Sequence, residues 1–379
     1  MRILFVLNSI YTTGNGLAAS ARRTVQVLKE LGEEVRVLSG PNHNPEGPQP
    51  DYRLKDFYFP VFQPIIRAHG YQFSSTDVKV VEEAVRWADV VHMQEPFVLE
   101  IRTAKIAKRL GKPVTGTYHL HPENIFYSLG MGGWKFPNRL LLHIWRNWCF
   151  NHWSHVQCPT QNVMERMKKI GCTSQLHLIS NGIIPDESIR QPHENHPYIV
   201  ACIGRLSGEK DPLTLLEAMK YSRHAHDIQL VFAGRGPQEK KTRRKAARLY
   251  KKGILAHNPT FEFMKRDQLR QLGAKADLFI HCALAEVEGL SIMEAMQQGG
   301  VPVIATGPIT GACQFALDDR SLFHQHDARE LARKIDWWLD HPQELEEARN
   351  AYIESMKEYE ISNSARALLQ MFHKSINKQ

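Results

Sequence analysis

Short apolar runs rich in β-branched residues alternate along the chain with longer stretches of helical spacing. In the first half the runs are RILFVLNS, EVRVLSG, DVVHMQ, PVTGTYH, HVQCPT and QLHLISNG, starting at Arg2, Glu34, Asp89, Pro113, His155 and Gln175. Between the first two, LAASARRTVQVLKELGE sets Leu17, Ala21, Val25 and Leu28 on one side of a helix. The second half begins again with YIVACIGRL, then IQLVFAGRG, FEFM, DLFIHCA and VPVIATG. Uninterrupted apolar strands separated by helices belong to parallel sheets covered on both faces. The two series therefore predict an α/β fold of two doubly wound domains. They are joined through NGIIPDESIRQPHENHPY, which is rich in Pro, His and Asn and lacks apolar periodicity. Ligands of doubly wound sheets sit at the carboxyl ends of strands where strand order reverses. The cleft between the two domains is then the expected site.

Composition narrows this picture without changing it. A chain of 379 residues suits two cores better than one. With 42% hydrophobic and 23% charged residues the composition is globular rather than disordered. Lys and Arg number 48 against 40 Asp and Glu, a net charge of +8. That excess points to nucleotide phosphates, nucleic acid or an anionic bilayer as partners. The six cysteines are scattered with no C-x-x-C pair, so they read as reduced thiols of a cytosolic protein, without zinc or a disulfide framework. The opening MRILFVLNS reads as a first strand rather than a signal peptide. No run of about 18 apolar residues predicts a transmembrane helix.

Three loops carry candidate chemistry. After the first strand, NSIYTTGNGLAAS places Gly14 and Gly16 where backbone could approach a phosphate at a helix start; an ordinary strand-to-helix turn reads equally well. After YIVACIG, Arg205 and Lys210 stand five apart and could neutralise a diphosphate leaving group, or simply be solvated. No Asp-x-Asp occurs, which removes one common way of holding Mg²⁺ for a nucleotide-sugar. The third loop is AEVEGLSIMEAM. Ser291 and Glu294 fit an S-x-x-E capping box, with Glu294 reaching back to the Ser291 amide. That leaves Glu286 unexplained, five residues before the cap.

Glu286 and Glu294, the loop GRLSGEKDP, AGRGP from Ala233, SNGI and EAMQQGGVPVIAT together resemble the retaining glycosyltransferases of family four, in order and at the family's spacing. The resemblance implies the GT-B fold. It places an acceptor domain at 1–190, a nucleotide-sugar domain at 191–354, and a C-terminal helix within 355–379 that returns to the first domain. It implies a hexosyltransferase using a nucleotide-sugar, UDP-glucose or UDP-galactose favoured, with no metal and no further cofactor. Glu286 would hold donor-sugar hydroxyls, Glu294 the ribose, and Arg205 and Lys210 the diphosphate. Gly16 would close the phosphate site from the other domain, and Gly234, Gly289, Leu290 and Ser291 would line the donor site. His119, in TYHLHPENI, matches the family's histidine near the transferred sugar's 6-hydroxyl; for His121 the reading stays open. His119, Glu286, Arg205 and Lys210 make up the implied catalytic set, acting by front-face attack. Glu288 departs from the family, where an aromatic or small residue is common.

The acceptor is the less determined half. No acidic residue lies between Glu123 and Glu165, and four of the seven tryptophans do. Residues 139–153 read as an amphipathic helix with Leu141, Trp145 and Trp148 on one side and Arg139, His143 and Arg146 on the other. It suits either an anionic membrane surface or a core-packed helix with a solvated face. Residues 57–73, aromatic and basic, could be an acceptor loop or a packed excursion, and 240–252 carries eight cations. The sequence is similar to the branch acting on membrane lipids, so the expected acceptor is diacylglycerol or ceramide at the inner face of the plasma membrane. A lipid-linked oligosaccharide in polysaccharide assembly is the competing acceptor. A nucleic-acid-binding protein is the more distant alternative, which the aromatic-poor basic stretch does not favour.

Overall fold

A computed structural model describes residues 1–12, 15–60, 63, 66, 71–186 and 197–377. Gly14, the division expected at 190/191 and most of 61–70 lie outside them. Two compact units emerge. One comprises Met1–Pro122, Gly133–Gly182 and Ile361–Gln379, the other Glu123–Gly132 and Ile183–Glu360.

The first unit is built on β1 (Arg2–Val6), β2 (Glu34–Ser39), β3 (Tyr52–Arg53), the antiparallel pair β4 (Asp56–Phe57) and β5 (Phe73–Ser74), β6 (Val90–Met93), β7 (Val114–Thr117), β8 (His155–Cys158) and β9 (Gln175–Leu178). Seven of these form a parallel sheet in the order β3-β2-β1-β6-β7-β8-β9. Its helices are α1 (Gly16–Glu30), α2 (Val78–Trp87), α3 (Val98–Arg109), α5 (Lys135–Trp148) and α6 (Gln161–Lys169); α4 (Pro122–Ser128) belongs mostly to the second unit. Asn15 starts α1, its side-chain oxygen accepting from the Leu17 and Ala18 amides at 3.0 and 3.4 Å. Ala21, Val25 and Leu28 then join Ile3 and Phe5 of β1, and Leu7 just after it, in one apolar cluster.

The second unit holds β10 (Tyr198–Ile203), α7 (Pro212–Ala218), β11 (Ile228–Ala233), α8 (Glu239–Lys251), β12 (Thr260–Glu262), α9 (Arg266–Lys275), β13 (Leu278–His281), α10 (Leu290–Gln297), β14 (Val301–Thr306), β15 (Leu322–His324), α11 (Ala328–Asp340) and α12 (Pro342–Met356). Its parallel sheet runs β12-β11-β10-β13-β14-β15. Buried Arg349 of α12 ties the core together, donating to the Ala276 and Gly299 carbonyls and to Asp277 at 3.1, 3.2 and 3.1 Å. On α8 only Thr242, Ala246 and Leu249 are buried, so most of its cations face solvent. The unit runs on to Glu360, past the expected 354. A last helix, α13 (Ile361–Ile376), then places Ala365, Leu368, Met371 and Phe372 in the core of the first unit.

Two expectations about local structure change. The helix foreseen over 139–153 spans Lys135–Trp148 and gives way to a 3₁₀ turn at Phe150–His152. Its buried side chains are Asn138, Leu142 and Trp145, while Trp148 is exposed. The foreseen face of Leu141, Trp145 and Trp148 is therefore rotated. The helix is apolar on two sides, and periodicity cannot say which side meets the core.

Candidate active site

Strand order in the second unit reverses between β10 and β13, and the loops leaving these two strands hold the site. β10 runs through Arg205 into a short 3₁₀ turn, Gly208–Lys210, and β13 ends on His281. The Leu284 amide donates to the Glu209 carbonyl at 2.7 Å, fixing one loop against the other. Glu286 is pinned by its backbone, its amide donating to Ile309 at 2.9 Å and its carbonyl accepting from Gly311 at 2.8 Å. Its carboxylate meets the Lys210 ammonium in a direct ion pair. His281 Nε2 stands 3.3 Å from the same oxygen, off the line of a well-formed hydrogen bond.

The electrostatics follow from this geometry. Burial alone would raise the Glu286 carboxyl, but the Lys210 charge, with His281, outweighs it and holds the group well below the usual range. Burial lowers His281, which stays a neutral donor. Arg205 is half-buried, and burial lowers it against the opposing pull of Glu209. The carboxylate thus remains ionised, and two cations, Lys210 and Arg205, line the loop leaving β10.

Beside this loop the backbones cross without room for side chains. Gly234 has φ 155°, and a Cβ on it would lie 1.9 Å from the Gly204 carbonyl oxygen. A Cβ on Gly236 would meet the Leu206 oxygen at 2.4 Å. Next to the crossing a cavity of about 570 Å³ is lined by Gly234, Arg235, Phe261, Glu262 and Phe263 among others. The Arg235 guanidinium lies 5.6 Å over the Phe263 ring. An arginine and an exposed aromatic side chain around a polar backbone turn suit a flat heterocycle, and nothing in the sequence drew attention to Phe263.

The capping box expected at Ser291 is absent. Gly289, at φ 95°, is the residue before α10, and the helix begins at Leu290, so Ser291 and Glu294 lie one and four residues inside it. The left-handed turn that glycine permits starts the helix earlier than the S-x-x-E pattern suggests. Gly289 O receives the Ile292 and Met293 amides, which leaves those of Leu290 and Ser291 pointing out of the helix start without an acceptor among the described residues. Glu294 lies half-buried in the helix. Glu288 is buried.

The remaining candidates belong to the first unit. His119 follows β7 and its Nε2 pairs with Gln94 Oε1 at 2.9 Å. Burial lowers the imidazole to about 3, so the ring is neutral, donates through Nε2 and leaves Nδ1 as an acceptor. His121 is fully buried, with Nδ1 at 2.9 Å from the Tyr118 hydroxyl and 3.1 Å from Arg166, a structural position. Gly16 opens α1, and a Cβ there would meet nothing within 4 Å. At this unit's own strand reversal, between β1 and β6, Glu95 accepts from the Asn8 amide and side chain, both at 2.8 Å, and from the Tyr71 hydroxyl. Burial and the Glu95 charge raise its neighbour Glu100 well above the carboxylate range. Isolated in sequence, these residues gave no signal; neither did His281.

Comparison with known proteins gives a consistent picture. A model of the glycosyl transferases group 1 matches residues 184–359, and one of glycosyltransferase family 4 matches residues 14–187. The chain is 23% identical over 328 residues to an alpha-monoglucosyldiacylglycerol synthase of Streptococcus pneumoniae, covering 81% of this chain and 71% of that one. It is 24% identical to a GDP-mannose-dependent alpha-mannosyltransferase of Mycolicibacterium smegmatis, covering 80% and 79%. In fold it matches the sucrose-phosphate synthase of Thermosynechococcus elongatus over the whole of both chains, with a TM-score of 0.73 at 14% identity.

Proposed function

The chain belongs to the family-four glycosyltransferases and has their GT-B fold, and from that premise we propose that it moves a hexose, with retention, from a UDP-sugar to a membrane lipid such as diacylglycerol or ceramide. The observation carrying the reading is the cluster of Lys210, Glu286 and His281 at the strand reversal of the second unit. An ionised carboxylate held by a lysine, beside Arg205 and the outward amides of Leu290 and Ser291, suits a ligand with a diphosphate next to a polyol.

In this reading the incoming diphosphate competes with Glu286 for Lys210. As Lys210 turns to the phosphates, Glu286 stays beside the His281 Nε2, 3.3 Å away, and offers its lone pairs to the donor-sugar hydroxyls. Lys210, Arg205 and the two α10 amides then stabilise charge growing on the leaving group. A phosphate oxygen takes the proton of the attacking hydroxyl on the same face. Glu294, near the start of α10, accepts the ribose diol, and the cavity beside Gly234 takes the base. The resemblance gives Gly16 and His119 their parts toward phosphate and sugar, His119 through its Nδ1 acceptor. No metal is required because cationic side chains fill that role.

The lipid acceptor is supported by the likeness to the diacylglycerol enzyme and by the basic, tryptophan-rich stretch 134–153. Among the described residues no helix is long and apolar enough to cross a membrane. Contact with the inner leaflet of the plasma membrane would then be peripheral. The test crosses UDP-glucose, UDP-galactose, UDP-N-acetylglucosamine and GDP-mannose with diacylglycerol, ceramide and a lipid-linked oligosaccharide, reading labelled product and its anomeric configuration. Retained transfer from a UDP-hexose to a lipid is expected. Turnover of GDP-mannose alone would overturn the donor, and transfer to the oligosaccharide alone would overturn the acceptor.

A further inference from the structure

On α5, the residues that face away from the core are also apolar. Phe136, Leu140, Ile144 and Trp148 recur every fourth position and are exposed, Phe136 by 77% and Trp148 by 62%. At about 1.5 Å per residue they make a stripe roughly 18 Å long. Asn138 and Leu142, two residues further on from Phe136 and Leu140 and so about 200° round the helix, pack inward, as does Trp145. Trp134, 61% exposed, stands just before the helix. Scattered apolar side chains on a surface need no explanation, but an ordered row of large ones does.

Its surroundings identify the occupant by charge. Lys135 and Arg139 are exposed alongside the stripe. The Arg146 guanidinium bonds to the Ile170 carbonyl and ties the end of α5 to that of α6, where Lys168 and Lys169 are exposed. No carboxylate interrupts 124–164. An apolar row ending in an exposed tryptophan, with a second exposed tryptophan just before the helix and cations beside it, matches the bilayer boundary, where indoles sit at the headgroups and acyl chains begin just below. The stripe is also braced from within. Trp145 packs on Phe97 at 6.0 Å, Phe97 on Phe73 at 5.2 Å, Phe73 on Phe59 at 5.3 Å and Phe59 on Phe57 at 4.9 Å. This ring chain ends at a second exposed aromatic edge, Phe57–Phe59.

We infer that the Phe136–Leu140–Ile144–Trp148 face of α5 lies in the plane of an anionic bilayer with its apolar side chains below the headgroups. The inference deepens the lipid-acceptor reading and rests on it only for the identity of the surface.

The test is sedimentation of the full chain with phosphatidylglycerol or phosphatidylcholine vesicles, without any sugar donor. The variant carries Phe136→Gln, Leu140→Gln, Ile144→Gln and Trp148→Gln, all at exposed sites outside the proposed active site. Wild type should pellet with the anionic vesicles at about 0.1 M salt and be largely released at about 1 M. The quadruple variant should melt within about 2 °C of wild type and bind at least roughly a hundredfold more weakly. Brominated lipid should quench wild-type fluorescence and lose most of that quenching in Trp134→Phe/Trp148→Phe. Equal vesicle binding by the folded quadruple variant, or no binding by wild type, overturns the inference. So does a wild-type dimer in ultracentrifugation that the variant abolishes, which would make a second copy the occupant. Transfer to diacylglycerol in detergent is measured in parallel. Binding without transfer sinks the lipid-acceptor reading alone, and transfer without binding sinks the stripe alone.

Discussion

Replacing Lys210 by Met tests how the site is held together. The Lys210 and Glu286 side chains are only 25% and 16% exposed, so the pair is largely desolvated. Removing one partner of such a pair costs about 3–5 kcal/mol because the other charge is left buried, and the residual exposure favours the lower end. For a unit of this size, about 3 kcal/mol corresponds to a melting shift of roughly 6–12 °C. The pH dependence carries the sharper signature. In the wild type Glu286 is depressed, so its contribution is present above the unfolded carboxyl pKa and is lost only as pH falls through the lower folded value. Without Lys210 the largest influence on Glu286 is burial, which raises it. The sign then inverts, and the variant loses stability as pH rises from about 4 toward about 7. Thermal melts of both proteins across that window should nearly coincide at the acid end and diverge toward neutrality. Adding Glu286→Gln to the variant should recover most of the loss. A constant offset at every pH, or a double variant no more stable than the single one, would falsify the assignment of Glu286 as a carboxylate held ionised by Lys210. Turnover of the single variant should fall by about 10²–10³.

His281→Leu should lower kcat/KM by about tenfold and move the acid limb of its pH profile upward, because Glu286 loses its second partner. His281→Gln, which keeps a donor near the same place, should recover most of this; an unaltered profile in the Leu variant argues against the role. Gly234→Ala and Gly16→Ala form a contrasted pair. The first drives a methyl into the Gly204 carbonyl and should cost about 2–4 kcal/mol and abolish nucleotide binding measured by calorimetry. The second meets only open space, so its melting temperature should stay within about 2 °C while donor affinity falls. Unimpaired donor binding by Gly16→Ala would remove Gly16 from the phosphate site.

Much of this was legible in the chain itself. Two series of uninterrupted apolar strands required two parallel sheets, because a strand buried on both faces has no polar face to spare. Glu286 stood out because no cap or turn accounted for it, and Lys210 because it followed a strand end. What misled was local pattern. Ser291 and Glu294 satisfied the spacing of a capping box, but the left-handed turn at Gly289 set the start of α10 at Leu290. Periodicity also found an amphipathic helix around Trp145 and chose the wrong face, because α5 is apolar on both.

The sequence by itself determined the strand-and-helix rhythm, the family and the carboxylate worth testing, since each depends on residues close together along the chain. Only the tertiary structure decided which groups meet. Lys210 reaches Glu286 because β13 lies beside β10, where strand order reverses, and the fold of the loop leaving β13 brings Glu286 back beside His281. Trp145 turns inward because Phe97 offers it a ring, which leaves Phe136, Leu140, Ile144 and Trp148 to face outward. Contacts between residues tens of positions apart are fixed by sheet order and packing, and neither is written in any local spacing.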